Sequence, residues 1–328
     1  MGFFNPRRFG KLETVRIEES MSVNTDYKLF TGDCKVVLAQ IPDNTIDSCI
    51  TDPPYGMGME EWDHSVPSKE IWEEVYRTLK PGAFCLSFCS PQLYHRMAVA
   101  VEDAGFIVKD QIMWMITTKM PKANRLKPAH EPIVVAQKPF KGSIDKNFEE
   151  WGVGKIDVDT TRIPWDKEPP KGWVAQGAKR RSFGKNGKHS RASVLETQKE
   201  VWILNETNEI VDFGKVDANP TGRYPSNIIG EVLPKHQKYF YAPRVTRKER
   251  GEYNDHPTPK PIALMSYLVK VYCPQNGLVL DPFCGSGSTG IGALLENRKF
   301  VGIDQEKKYV KISEQRIDDH VYNSKKEI

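Results

Sequence analysis

Hydrophobic and polar positions along the chain fall into two stretches where strand-like and helix-like spacings alternate, separated by a long stretch with neither. In the first stretch, Ile46 to Thr51 reads as a short strand. Between Ser68 and Leu79, the apolar residues Ile71, Val75 and Leu79 recur at helical spacing, and Lys80-Pro81-Gly82 ends the pattern before the apolar run Ala83 to Cys89. A helix fits Gln92 to Ala104, closed by Gly105, and strands fit Phe106 to Ile116 and Pro132 to Ala136. Alternation of this kind predicts an α/β fold with a parallel sheet covered on both faces.

From about Thr246 the alternation resumes. Thr258-Pro259 can cap and start a helix carrying Leu264, Leu268 and Val271. A buried strand, Leu278 to Leu280, follows and ends at Asp281-Pro282. Gly285 and Gly287 permit a tight turn, Ser288 to Glu296 is a helix, and Lys299 to Ile303 is a strand finishing on Asp304. Between about Lys141 and Tyr241 the periodicity is poor and the text is rich in Gly, Pro, Lys and Arg.

Length and composition narrow this picture. The 328 residues exceed the roughly 100–200 usual for one domain, so one large domain with an insertion and two domains both fit. The formal net charge of +4 is compatible with an anionic partner or with solvated basic faces. No apolar run reaches 18 residues and the first residues lack the apolar core of a signal peptide, so a soluble, intracellular protein without a membrane partner is expected. Cysteines 34, 49, 85, 89, 273 and 284 form no C-x-x-C pair and read as buried reduced thiols; neither they nor the seven histidines suggest a metal site.

Two segments carry chemistry. The first is Asp52-Pro53-Pro54-Tyr55, where consecutive prolines, which donate no N–H, stop a strand directly behind an aspartate. The second is the strand–glycine loop–helix unit from Leu278, after which Asp304 follows Asp281 by 23 residues. Glycines there let a ligand approach the backbone, and an acid at the tip of the next strand can accept hydrogen bonds from ribose hydroxyls. The glycine spacing departs from the dinucleotide fingerprint, which favours a nucleoside cofactor without a pyrophosphate. In the aperiodic middle, Lys171, Lys179, Arg180, Arg181, Lys185, Lys188 and Arg191 meet no acid until Glu196 and are interleaved with Trp173 and Phe183. Phosphate contact with base stacking would need such a segment, and a solvated loop would look the same.

The motifs DPPY at 52–55 and DPFCGSGST at 281–289, with HPTPKP at 256–261 ahead of the second, resemble those of the DNA amino-methyltransferases that use S-adenosylmethionine. Their order is similar to that of the circularly permuted β group, especially to its phage- and prophage-encoded enzymes. The resemblance implies a Rossmann-like, doubly wound domain built from residues 22–140 and 246–328, with a target-recognition insertion at 141–245. It implies transfer of a methyl group to the N6 amine of adenine in double-stranded DNA, with cytosine N4 as the alternative, and an RNA, a protein amide or a non-catalytic DNA-binding role behind it. Asp52 and the carbonyl of Pro53, fixed by Pro54, would hold the amine, and Tyr55 would stack on a base extruded from the duplex. Asp281, Phe283, Gly285, Gly287, Ser288 and Thr289 would shape the cofactor site, with Asp304 on the ribose. Asp33 would lie near the adenine amine, although a turn and N-cap would place an acid there too. Thr258 and Lys260 would reach the methionine carboxylate. Lys179, Arg180, Arg181, Lys185, Lys188 and Arg191 are the candidate DNA contacts, and Trp114 reads as core. The bacterial or phage-infected cytoplasm is the expected location. A homodimer rests on the group resemblance alone, and a cognate nuclease is neither inferred nor excluded.

Overall fold

The computed structural model describes residues 18–19, 26–58, 63–116, 126, 128–165, 203–204, 210–211, 221–230, 247–250 and 252–323. Eleven strands are found among these residues: β1 (Glu18–Glu19), β2 (Tyr27–Thr31), β3 (Ile46–Thr51), β4 (Leu79–Phe88), β5 (Ile107–Met115), β6 (His130–Gln137), β7 (Ile203–Leu204), β8 (Ile210–Val211), β9 (Ile228–Gly230), β10 (Leu278–Asp281) and β11 (Lys299–Asp304). The helices are α1 (Cys34–Leu38), α2 (Lys69–Thr78), α3 (Tyr94–Asp103), α4 (Ile144–Trp151), α5 (Arg247–Arg250), α6 (Ile262–Tyr272), α7 (Ser288–Leu295) and α8 (Lys307–Ile317).

Nine strands form one sheet in the order β1-β2-β11-β10-β3-β4-β6-β5-β9. From β2 through β4 the neighbours are parallel, while β6 runs antiparallel to both β4 and β5. The expected parallel sheet is therefore corrected to a mixed one, because the periodicity of a strand carries no information about its direction. Side chains alternate across the sheet. In β4, Phe84, Leu86 and Phe88 join a core under α6 and α7, whereas Ala83 and Cys85 join a second core with Val37, Trp72 and Val101 of α1, α2 and α3. Both faces are thus covered, as a doubly wound sheet requires. Five of the six cysteines pack within these cores.

Two boundaries differ from the spacing-based reading. Leu79-Lys80-Pro81-Gly82 opens β4 instead of only closing a helix, with the β3–β4 register shifting between Ile46 and Ser48 and Gly82 in the left-handed region at φ 85°. Helix α6 starts at Ile262, not at Thr258, since Thr258 and Lys260 each precede a proline, which disfavours helical backbone.

The chain forms two compact units, Met1–Thr161 with Pro225–Ile328, and Arg162–Tyr224. The second is narrower than the expected insertion from 141, because α4 belongs to the first: its buried Asn147 donates to the carbonyls of Pro81 and Val153, each at 3.0 Å. Within the second unit, β7 pairs with β8, and Ile163 bridges to Arg223.

The centre of the sheet is the β3–β10 pair, which joins segments 230 residues apart. At its lower edge the buried Asp47 accepts from the Leu278 N–H at 2.7 Å and from Lys80 Nζ at 2.6 Å. Replacing Asp47 by Ala leaves that N–H without its acceptor, and the unfolding free energy in urea should fall by about 1–3 kcal/mol, with the m-value unchanged.

Candidate functional site

The carboxyl ends of β2, β11, β10, β3 and β4 open on one cavity of about 1180 Å³. That exceeds the roughly 300–1,000 Å³ common for a single small-molecule pocket. Its position is that of ligand sites in open α/β sheets, at the switch where β10 connects outward through β11 and β3 connects the other way through β4. The two motifs predicted to be neighbours meet here. Thr51, the last residue of β3, donates its hydroxyl to Asp281 Oδ1 at 2.6 Å, and Thr289 donates to Asp281 Oδ2 at 2.6 Å. The Phe283 N–H adds a third bond at 3.1 Å. Asp281 is 2 % exposed, and burial pushes its carboxyl up to about 6 against these hydrogen bonds. With three donors of the protein upon it, Asp281 ties the loop to the end of β3 while lining the cavity, and Thr289 is part of the same tie.

The glycine loop is shaped by close packing against its own neighbours. Gly285 and Gly287 have φ of 50° and 80°, and a Cβ on Gly285 would lie 2.8 Å from His256 Nε2. Arg316, fully buried, donates to the Ser286 carbonyl at 2.5 Å and to the hydroxyls of Ser286 and Ser288 at 3.0 and 3.2 Å, which fastens the loop to α8. At the tip of β11, Asp304 accepts from the N–H groups of Gly285 and Glu306, each at 2.9 Å. Burial nevertheless pushes its carboxyl up to about 6, a desolvated acid that ribose hydroxyls would relieve. Asp33 lines the cavity and also caps α1 by accepting from Lys35 N at 2.8 Å. Phe283 and Thr258 line the wall, and the Thr258 N–H donates to His256 Nδ1 at 3.3 Å. These residues fit S-adenosylmethionine: an acid at the tip of β11 that would hold the ribose, and further carboxylates on the same cavity that suit a cationic ligand.

At the other end of the cavity stands a polar ring. The Tyr55 hydroxyl donates to Asp52 Oδ1 at 2.6 Å and to Glu131 Oε2 at 3.3 Å, while Lys260 Nζ bonds Asp52 Oδ2 and lies 3.7 Å from Glu131 Oε2. Lys260 is therefore placed on the Asp52 carboxylate, in the wall of the same cavity. Its ammonium is packed among the rings of Phe88, Tyr55 and Trp114 at 5.2, 5.4 and 6.0 Å. Burial pushes the Asp52 carboxyl up, Lys260 pulls it back, and Glu131 adds to the rise. Burial would lower Lys260, but the attraction of Asp52 and Glu131 outweighs it and raises the ammonium. Trp114 is core, edge-on to Phe88.

Glu131 escaped the sequence reading. It lies at the start of β6, whose antiparallel course brings its first residues to the carboxyl edge of the other strands. A signal was present: Asp52, Glu131, Lys260 and Asp281 each directly precede a proline. Asp63 was also missed; buried, it accepts from the N–H groups of Gly56 and Met57 at 2.6 and 3.1 Å and holds the chain just behind Tyr55. Lys179, Arg180, Arg181, Lys185, Lys188 and Arg191 lie outside the described residues. Within Arg162–Tyr224, Arg162 stacks on the exposed Tyr224, and Arg223 on Trp165, each at 4.4 Å.

Comparison with known proteins bears on most of the chain. The family model described as DNA methylase, of the N6 and N4 methyltransferases, matches residues 46–315. The Type II methyltransferase M.BglI of Bacillus subtilis is 25% identical over 90% of this chain and 87% of its own. The Type II methyltransferase M.HpaI of Haemophilus parainfluenzae is 24% identical over 89% of this chain and 74% of its own. Among solved structures, the cytosine-N4-specific PvuII DNA methyltransferase superposes with a TM-score of 0.55 at 16% identity, covering 89% of this chain and 86% of that one, which is a likeness of fold.

The raised Asp304 carboxyl has a measurable consequence. The folded protein holds that proton more tightly than the unfolded chain, whose value is 3.8, so stability falls as pH rises between about 4 and 6. Asp304→Asn removes this contribution. The unfolding free energy of the wild type minus that of the variant, measured in urea from pH 4 to 7.5, should decline through this window and level off above it; a difference independent of pH would refute the assignment.

Proposed function

The chain belongs to the DNA methylase family of N6 and N4 methyltransferases, and from that footing we propose that it methylates the N6 amine of adenine at a specific site in duplex DNA. S-adenosylmethionine is the methyl donor; when bound, it supplies an electrophilic methyl group on a cationic sulfur and leaves as a neutral thioether. The observation that carries the reading is Asp52 at the end of β3, its carboxylate opening on the same cavity as the glycine loop and Asp304.

An exocyclic amine conjugated to its ring is a poor nucleophile because its lone pair is delocalised. Acceptors on its two hydrogens favour a pyramidal nitrogen, and Asp52 with the Pro53 carbonyl can supply both. The nitrogen gains the methyl group, becomes cationic, and releases one proton. Desolvated carboxylates at that point stabilise the charge as it develops, which is where electrostatic catalysis is strongest. Since the amine lies within the duplex, the base must be extruded into the cavity, against which Tyr55 stands. The second compact unit, Arg162–Tyr224, is assigned to target recognition, and the cell's cytoplasm is where such DNA would be met. Aspartate heading the catalytic motif favours adenine; the same acceptors would serve cytosine N4.

Purified protein incubated with S-adenosylmethionine and unmethylated DNA of mixed sequence should yield N6-methyladenine on nucleoside mass spectrometry. N4-methylcytosine would keep the chemistry and overturn the choice of base. Asp52→Ala should abolish transfer while cofactor binding by calorimetry persists, and joint loss of both from folded protein would reject the role given to Asp52. Changing Arg180 and Arg181 to Ala should flatten the salt dependence of DNA affinity by up to about two units in slope. An unchanged slope would return that segment to solvent.

A further inference from the structure

Arg316 poses an electrostatic problem beneath the glycine loop. Its side chain, on α8, is fully buried and donates to oxygens that carry no charge: the carbonyls of Ser286 and Glu249 and the hydroxyls of Ser286 and Ser288. Among the described residues it makes no ion pair. Glu249, the acid whose charge it feels, accepts instead from the Ile262 N–H at the start of α6. Burial lowers the guanidinium without removing its proton. A buried charge without an opposite charge paired to it is costly, and a neutral side chain could tie α8 to the loop.

The two serines show where that charge is directed. A guanidinium has no lone pair to offer, so a hydroxyl that accepts from it must turn its own hydrogen elsewhere. Ser286 and Ser288 are 3 % and 7 % exposed, both line the cavity, and neither hydroxyl hydrogen has an acceptor among the described residues. Beside them α7 starts on Gly287, which has no side chain to cap the helix, so its first N–H groups add a positive end to the same wall. His256, packed against Gly285, is pushed down to about 4 by burial and by the charges of Lys260 and Arg316, so it adds no charge there. We infer that Arg316 is a positioning residue for the carboxylate of S-adenosylmethionine: it holds the Ser286 and Ser288 hydroxyls with their hydrogens toward the cavity and strengthens them as donors to that carboxylate. Asp304 and Asp52, elsewhere on the wall, repel a carboxylate, and the loop attracts it. Thr258 and Lys260, proposed for the same carboxylate, line the same cavity.

The inference rests on S-adenosylmethionine as the ligand of this cavity, and binding by the wild type tests that separately. Calorimetry on the full-length protein compares S-adenosylmethionine with its decarboxylated form, which keeps the adenosine, the sulfonium and the amine. The wild type should bind the carboxylated ligand at least about tenfold more tightly. R316M, similar in length and uncharged, should reduce that preference to within about threefold, while its affinity for the decarboxylated form stays within about twofold of wild type. S286A/S288A, which keeps Arg316, should lose the preference too, and it decides the matter if circular dichroism shows R316M unfolded. Equal loss of both ligands in folded R316M marks a structural tie and overturns the inference. So does a wild-type preference retained in R316M or in S286A/S288A. Wild type that binds both forms equally overturns it and leaves the cofactor reading intact, whereas wild type that binds neither overturns both.

Discussion

Everything at the working edge of this protein depends on a bond between two segments that the chain itself keeps 230 residues apart. Thr51 ends the strand that leads into Asp52, and Asp281 ends the strand that leads into the glycine loop; the 2.6 Å bond between them fixes one motif relative to the other. A carboxylate with a hydroxyl, a second hydroxyl and an amide N–H upon it is held in one rotamer, so strand β3, the loop and helix α7 share one reference point. Burial makes this bond a sharp constraint. Leaving such an acid without its donors would cost the desolvation of a charge, and no rearranged loop of the same residues would restore all three.

The seam also explains why the order of motifs along the chain is free to vary. The glycine-loop unit, which opens the usual doubly wound sequence, here comes last, and β10 still sits beside β3. Noncovalent contacts, Asp47 to Leu278 N at one edge and Thr51 to Asp281 at the other, do the joining that covalent continuity does not. Cutting and rejoining a sheet of this type changes which loops are covalent and leaves its packing intact.

Much of this was legible because it is written locally. The run to Asp281, the two glycines and Asp304 form one contiguous unit, and the prolines after Asp52 stop a strand by their own chemistry. What was not legible depends on direction and on distant partners. Nothing in the spacing of His130 to Gln137 says that this strand runs backwards, and only that reversal brings Glu131 to Asp52 instead of to the opposite edge. The contact of Lys260 with Asp52 was not legible for the same reason: its motif is local, but the acid it faces is 208 residues away. The middle of the chain offered composition without periodicity, so it yielded a candidate partner and no fold.

The recurrence of proline behind the charged residues of the site has a physical logic of its own. Asp52, Glu131, Lys260 and Asp281 each stand before a proline, a position confined to extended backbone. At the ends of β3 and β10, extended backbone points successive side chains to opposite sides, so Asp52 and Asp281 are each delivered to one defined side of the sheet edge. Lys260 shows the same restriction, as α6 waits until Ile262. Restricting these residues also narrows the unfolded ensemble, which lowers the entropy lost when the charges are gathered. Like charges largely withdrawn from water repel one another and would spread if the backbone allowed it. A rigid frame for the residues that resist being together is therefore what lets two acids and a lysine remain gathered at the carboxyl edge of the sheet.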